Sequence, residues 1–230
     1  MVLQAAQTAG LSDIITPRDF GLDPILQIHD ANYVTWLQYI YADWVNSGGT
    51  ITDAVADTFA MRSLPHRPQK ARTALGYYSL DATTVHTAGT WAAAYQSAQC
   101  ALTAAQLVVN GSSSTFALCR PPGHHAHADL CGGYYLLNNA AIAAHWLTQN
   151  GKQTNAKVAI LDVDFHHGNG TQAIFYARSD VFFVSLHAVP ERQYPYLPGR
   201  PPSAAAGLAS AIRSITPCQP VSMTQITLRC

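Results

Sequence analysis

The chain has 230 residues, 48% of them hydrophobic and 11% charged, enough apolar material for one sizeable core; this excludes a disordered chain and a disulfide-stapled miniature scaffold. Thirteen basic against 13 acidic side chains leave no net charge, so the composition carries no footprint for nucleic acid or an anionic membrane surface. The five cysteines lack a C-x-x-C pair, no basic-then-apolar leader opens the chain, and no run nears the ~18 apolar residues of a membrane helix; the expected location is cytoplasmic.

No repeat or low-complexity linker divides the sequence. Asp30 is placed to cap a helix over residues 32–45, where Tyr33, Trp36, Leu37, Ile40, Tyr41 and Trp44 recur at three- and four-residue spacings until Gly48-Gly49. Residues 64–80, rich in Pro, His and Arg and containing Gly76-Tyr77-Tyr78, predict a long surface loop. An alanine-rich helix follows over 90–109, stopped by Asn110-Gly111. The pattern then alternates: strand 115–119, helix 138–149, strand 157–164, short helix 171–176, strand 181–186. The fold class is therefore α/β. The apolar runs Val158-Ala159-Ile160-Leu161 and Val181-Phe182-Phe183-Val184 predict a parallel sheet buried on both faces. Ligands of such sheets sit outside the carboxyl ends of the strands, and there the polar residues gather, at 120–129, 162–167 and 185–187.

Six of the ten histidines lie between positions 124 and 167, four of them in the pairs His124-His125 and His166-His167. Asp162, Asp164 and His166 alternate and so face one side of an extended chain, where two of them could share a metal; the competing reading is that the aspartates cap the following turn. Arg120-Pro121-Pro122-Gly123 stiffens the loop before His124-His125, and a rigidly held neutral imidazole can take a proton from a water.

These residues resemble the zinc-dependent histone deacetylase and acetylpolyamine amidohydrolase family, with its arginase-like parallel sheet and helices on both faces. The resemblance spans residues 25–199 and rests on Arg120-Pro121-Pro122-Gly123-His124-His125-Ala126, on Gly132-Gly133-Tyr134 followed by Asn138-Asn139-Ala140-Ala141, and on the segment 162–171. Tyr135 and the stretch 190–196 are more similar to the polyamine-deacetylase and bacterial branch than to the nuclear enzymes. The resemblance implies that Asp164 and His166 are zinc ligands and that His125 is general base and later general acid. It further implies that His124 is an electrostatic partner oriented by Asp162, and that Asn169 stands where many relatives carry the aspartate supporting His125. Gly133 would offer its carbonyl to the substrate amide and Tyr134 would line an acyl-lysine-like tunnel, with core packing as the alternative for Tyr134. A structural potassium ion is implied beside the zinc, at Asp162, Asp164, His166, Ser185 and Leu186. The implied partner is a small acetylated amine or an acetyl-lysine substrate, with no nucleic acid and no membrane, and a homodimer is compatible with this reading.

The sequence departs from the family at both ends. The opening strand with its histidine-containing loop, the third zinc ligand (an aspartate) and the oxyanion-stabilising tyrosine are not found. The expectation is a partial deacetylase-like domain over residues 1–199 and a non-matching tail over 200–230, its short chain a poor hydrolase unless a substitute ligand exists, with His187 the first candidate. The tail itself is expected to be a frameshifted reading. Regrouping from the last base of the Ser214 codon permits Asn-His-Pro-Leu-Pro-Ala-Gly-Val-Asp-Asp-Ala-Asp-Tyr-Leu, and across Met223 and Thr224 that frame must encode Asp. Two functional readings stand side by side: a zinc-dependent deacetylase, and a non-catalytic remnant that keeps the fold and pocket. A binuclear manganese hydrolase of the arginase type is disfavoured because no Asp-x-His-x-Asp cluster occurs.

Overall fold

A computed structural model describes residues 2–10, 13–60, 62, 66–151, 156–196 and 212–214. Most of the tail lies outside these residues, and with it the frameshift expectation.

The chain opens with α1 (Val2–Thr8) and the short α2 (Asp23–Leu26), and the first long element is α3 (Ala31–Asn46). As its spacing predicts, Asp30 caps it: the carboxylate accepts the N–H of Asn32 at 2.8 Å and of Tyr33 at 3.3 Å, two donors that a helix start leaves unpaired. The helix buries Tyr33, Val34, Leu37 and Ile40.

The predicted loop over 64–80 is corrected in its second half, which forms α4 (Ala71–Tyr78). Gly76 suggests a turn in the sequence, but it serves close packing here, because a side chain at this position would strike the Thr58 carbonyl. Tyr78 packs against Trp36 with ring centroids 4.8 Å apart. The alanine-rich helix is α5 (Thr90–Val109), packed against α6 (Asn139–Asn150), which Asn138 caps by accepting the Ala141 N–H at 3.0 Å.

Three parallel strands follow in the order β1 (Val158–Asp162), β2 (Val181–Ser185) and β3 (Ile212–Ser214), with α7 (Asn169–Phe175) between the first two. Val158 pairs with Val181 and Asp162 with Ser185, so β1 and β2 end side by side. Val158, Ile160 and Val181 join the core beneath α6. Burial nevertheless alternates, unlike the two-faced burial the apolar runs predict: Leu161 is 65% exposed and Phe182 is also open, no helix among the described residues covering that face.

Two further expectations change. Residues 115–119 form no strand; Phe116 is 82% exposed and the Cys119 N–H turns back to the Ala117 carbonyl rather than to a ladder partner. β1 stops at Asp162, short of residue 164, because the side chains that follow compete for the backbone. Asp162 accepts the Asp164 N–H at 3.1 Å and Asp164 accepts the His166 N–H at 2.8 Å, two successive turns that a ladder cannot contain.

Candidate active site

The carboxyl end of β1 and the loop before α6 meet because buried polar groups tie them. Asn138 Nδ2 donates to the Ala126 carbonyl at 3.1 Å and to Thr171 Oγ1 at 3.0 Å, and the N–H groups of Gly170 and Thr171 both reach the His124 carbonyl. Glycine permits the approach: a side chain at Gly170 would strike the Ala126 carbonyl, and one at Gly123 the backbone of residues 137–139.

This contact brings together four of the predicted residues. His124 Nδ1 lies 2.8 Å from Asp162 Oδ2, and His125 Nδ1 lies 2.7 Å from Asn169 Oδ1, with the two imidazole centroids 4.0 Å apart. His125 is only 2% exposed. Burial lowers its pKa to about 4 and the adjacent His124 adds to this, while the Asn169 hydrogen bond opposes. At neutral pH it is an uncharged imidazole, the form that accepts a proton. Asp162 is held below the ordinary carboxylate range: burial pushes it up, but the hydrogen bond and charge of His124 outweigh that. His124 Nε2 is buried without a hydrogen-bond partner and stands 3.8 Å from Asp164 Oδ1.

The predicted metal ligands form a second pair, far more open, with side chains 43% exposed at Asp164 and 39% at His166. Asp164 Oδ1 and His166 Nδ1 are 3.3 Å apart. Two donors on one tetrahedral zinc, each bonded at ~2.1 Å, stand ~3.4 Å apart, so this pair fits two corners of such an ion. Among the described residues no group of three His, Cys, Asp or Glu side chains completes the set. His187, the substitute ligand considered from sequence, packs against His167 instead, with centroids 4.5 Å apart and its Nδ1 2.8 Å from the Ala188 carbonyl.

Gly133 and Tyr134 both have positive φ, 58° and 72°, and this turn lies against His125, whose ring a side chain at Gly133 would strike. Tyr134 is 68% exposed, which removes the core-packing alternative for it. The anchor of the turn is Asp81, a residue the sequence reading passed over. Its carboxylate accepts the Gly133 N–H at 2.6 Å, the Tyr194 hydroxyl at 2.5 Å and donors from Thr83 and Thr84. Burial raises the Asp81 pKa, but these bonds win and hold it at about 2. Tyr194 meets the His125 ring edge-on at 4.7 Å and Tyr135 stacks on it at 5.2 Å, closing an aromatic wall around the imidazole. The only sequence cue for Asp81 was the Asp-x-Thr-Thr turn pattern, which marks local hydrogen bonding and says nothing of Tyr194.

Paired histidines backed by Asp162 and Asn169 thus stand beside an Asp-x-His donor pair at the carboxyl end of a parallel sheet. The chain belongs to the histone deacetylase domain family, whose pattern matches residues 1–226. It is 49% identical over 201 residues to acetylpolyamine amidohydrolase 1 of Pseudomonas aeruginosa, covering 86% of this chain and 57% of that protein. It is 44% identical over 199 residues to the acetylpolyamine amidohydrolase of Mycoplana ramosa, again 86% of this chain and 57% of the relative. The crystal structure of acetylpolyamine aminohydrolase from Burkholderia pseudomallei superposes with a TM-score of 0.84 at 38% identity, over 94% of this chain and 62% of that one. The chain thus spans somewhat over half the length of these relatives.

Proposed function

We propose that the protein is a metal-dependent amide hydrolase that removes acetyl groups from acetylated polyamines or similar amines. The observation that carries this reading is the juxtaposition of a buried, neutral His125, oriented by Asn169, with the open Asp164–His166 donor pair. The names of the relatives support an acetylpolyamine as the substrate class.

Asp164 and His166 would hold zinc. Bound zinc would supply Lewis acidity toward the acetyl carbonyl and the attacking water. His125 receives a proton from that water through Nε2 and returns it to the leaving amine, while Asn169 Oδ1 accepts from Nδ1–H throughout. His124, held by Asp162, keeps a polarisable neighbour beside the base. The Gly133 turn, fixed by Asp81, forms the wall against which an acetamide is oriented, and the exposed Tyr134 ring covers the methylenes of the amine chain. A structural potassium ion at the strand ends belongs to the same reading: Asp162 pairs with Ser185, and Asp164, His166 and Leu186 are the other residues whose main chain would hold it. Cys100, Cys119 and Cys131 are free cysteines, and a cytoplasmic location is part of the same reading.

Metal analysis of the purified protein, paired with turnover of acetylspermidine and of an acetyl-lysine peptide, tests the assignment. The expected result is zinc-dependent release of acetate, faster from the polyamine, with zinc lost in Asp164→Ala and His166→Ala. Zinc stoichiometry unchanged by both substitutions would overturn the ligand assignment, and zinc bound without turnover of either substrate would favour a non-catalytic binding protein.

A further inference from the structure

His127 takes no part in the chemistry above, yet it forms the far end of a three-residue chain. His125 Nδ1 lies 2.7 Å from Asn169 Oδ1, and Asn169 Nδ2 lies 2.9 Å from His127 Nε2. His125 and Asn169 are both buried, so the carboxamide takes its partners from these two rings. A carboxamide has an acceptor on one side and a donor on the other, and each imidazole nitrogen is either a donor or an acceptor. The hydrogen positions of the two rings are therefore correlated through the amide. With its oxygen toward His125, that ring carries its proton on Nδ1 and leaves Nε2 bare, and His127 must present a bare Nε2. With the amide turned over, Nδ2 donates to His125 Nδ1, the proton of His125 moves to Nε2, and the ring can no longer accept one there. A carboxylate at position 169 would accept on both sides and enforce the useful form unaided. The amide needs a second group to tell its two ends apart.

We propose that His127 is a positioning residue that accepts from Asn169 Nδ2, fixes the amide with its oxygen toward His125, and so holds His125 as the Nδ1–H tautomer. The surroundings suit such a lock. The His127 N–H donates to the Leu130 carbonyl at 2.9 Å, and the intervening Asp129 is paired with Arg62 at 2.5 Å, which pins the loop that presents the imidazole. The Asn169 N–H is occupied by the His167 carbonyl at 2.8 Å, so the amide moves only by rotating its side chain. The inference rests on His125 as the proton acceptor of the proposed function, but its test does not require turnover.

The test is nitrogen-15 NMR of the histidine rings in the chain as it stands, at neutral pH, reading the tautomer of His125 from its ring-nitrogen shifts. The expected wild-type signal is the Nδ1–H form. His127→Glu, which can only accept, retains it. His127→Lys, which can only donate, drives His125 to the Nε2–H form, and His127→Ala gives a mixture. Dispersed amide spectra report that each variant has folded, and Asn169→Asp supplies the second measurement: in that background His127→Ala leaves the Nδ1–H form intact. A His125 tautomer that is the same in the Glu, Lys and Ala variants would overturn the proposal. If the tautomer responds as stated while the protein fails to deacetylate, the lock stands and the function assigned to His125 falls.

Discussion

The histidine pair at positions 124 and 125 and the donor pair Asp164–His166 share one end of the sheet, yet they are built on opposite terms. Each imidazole of the first pair has its Nδ1 held by a named partner, His125 is buried, and the loop is tied to α7 by Asn138. The second pair is about two-fifths exposed and is organised by two local turns. The contrast teaches where the fold spends its packing. A proton acceptor needs a fixed tautomer and a dry environment, which only long-range contacts provide, whereas metal donors need a convergent pair of atoms and access for the ion, which a short run of turns can supply.

Replacing His125 by Ala in a form that turns over substrate should reduce kcat by about 10² to 10⁴-fold, the usual share of general acid–base catalysis, while leaving zinc bound. Steady-state kinetics beside metal analysis checks this, and loss of zinc would erase the line between the two pairs.

Acid should strike the buried side first. His29, which accepts the Asn138 N–H at 3.0 Å, and His86 are both buried, and desolvation lowers each to about 4 from the ordinary 6.5. The unfolded chain therefore binds more protons between these values, so stability is complete above about pH 6.5 and falls as the pH drops toward 4. By about pH 5 the loss should reach roughly 2 kcal/mol for each histidine. Urea melts at neutral and mildly acid pH measure it, and equal stability at both would show that these rings are not desolvated.

Asn138→Ala should cost about 1–3 kcal/mol, since it leaves the buried Ala126 carbonyl without the amide donor and removes the cap of α6. Chemical denaturation reports the loss, which the buried loop would show in weakened protection of the Ala126 backbone amide, a donor to the Gly123 carbonyl at 2.9 Å. Asp164→Ala sits at the other extreme. Apart from a 3.8 Å approach to His124 Nε2, its side chain bonds only within the exposed turn among the described groups, so the expected change in stability without metal is under about 1 kcal/mol. A larger loss would mean that the donor pair is packed as tightly as the base.

Legibility in the sequence followed the range of the interactions. α3 and α5 were readable because apolar spacing and the Asp30 cap act over three or four residues. The half of 64–80 that became α4 was misread, since Gly76 answers to Thr58 in a distant segment rather than to its own neighbours. Residues 115–119 had the composition of a strand but lack a ladder partner among the described residues, and no local pattern reveals a missing partner. Within the site, the motifs made His124, His125, Asp162, Asp164, His166 and Asn169 recognisable as a set. Asp81, Tyr194 and His127 were not: Asp81 showed only a local turn pattern, and Tyr194 stood in a stretch that marked the branch of the family without marking a role.

The sequence by itself determined an α/β chain with a stiffened His-His loop and an alternating Asp-x-Asp-x-His segment at a strand end. These follow from side chains acting on backbone a few residues away, where chain connectivity keeps the partners close. The structure makes the two pairings that the family resemblance implied, His124 with Asp162 across 38 positions and His125 with Asn169 across 44, and it alone decided that Tyr194 reaches Asp81 across 113. Such contacts depend on how helices and strands pack, and their cost in chain entropy is offset by the burial of the whole core rather than by any residue that makes them.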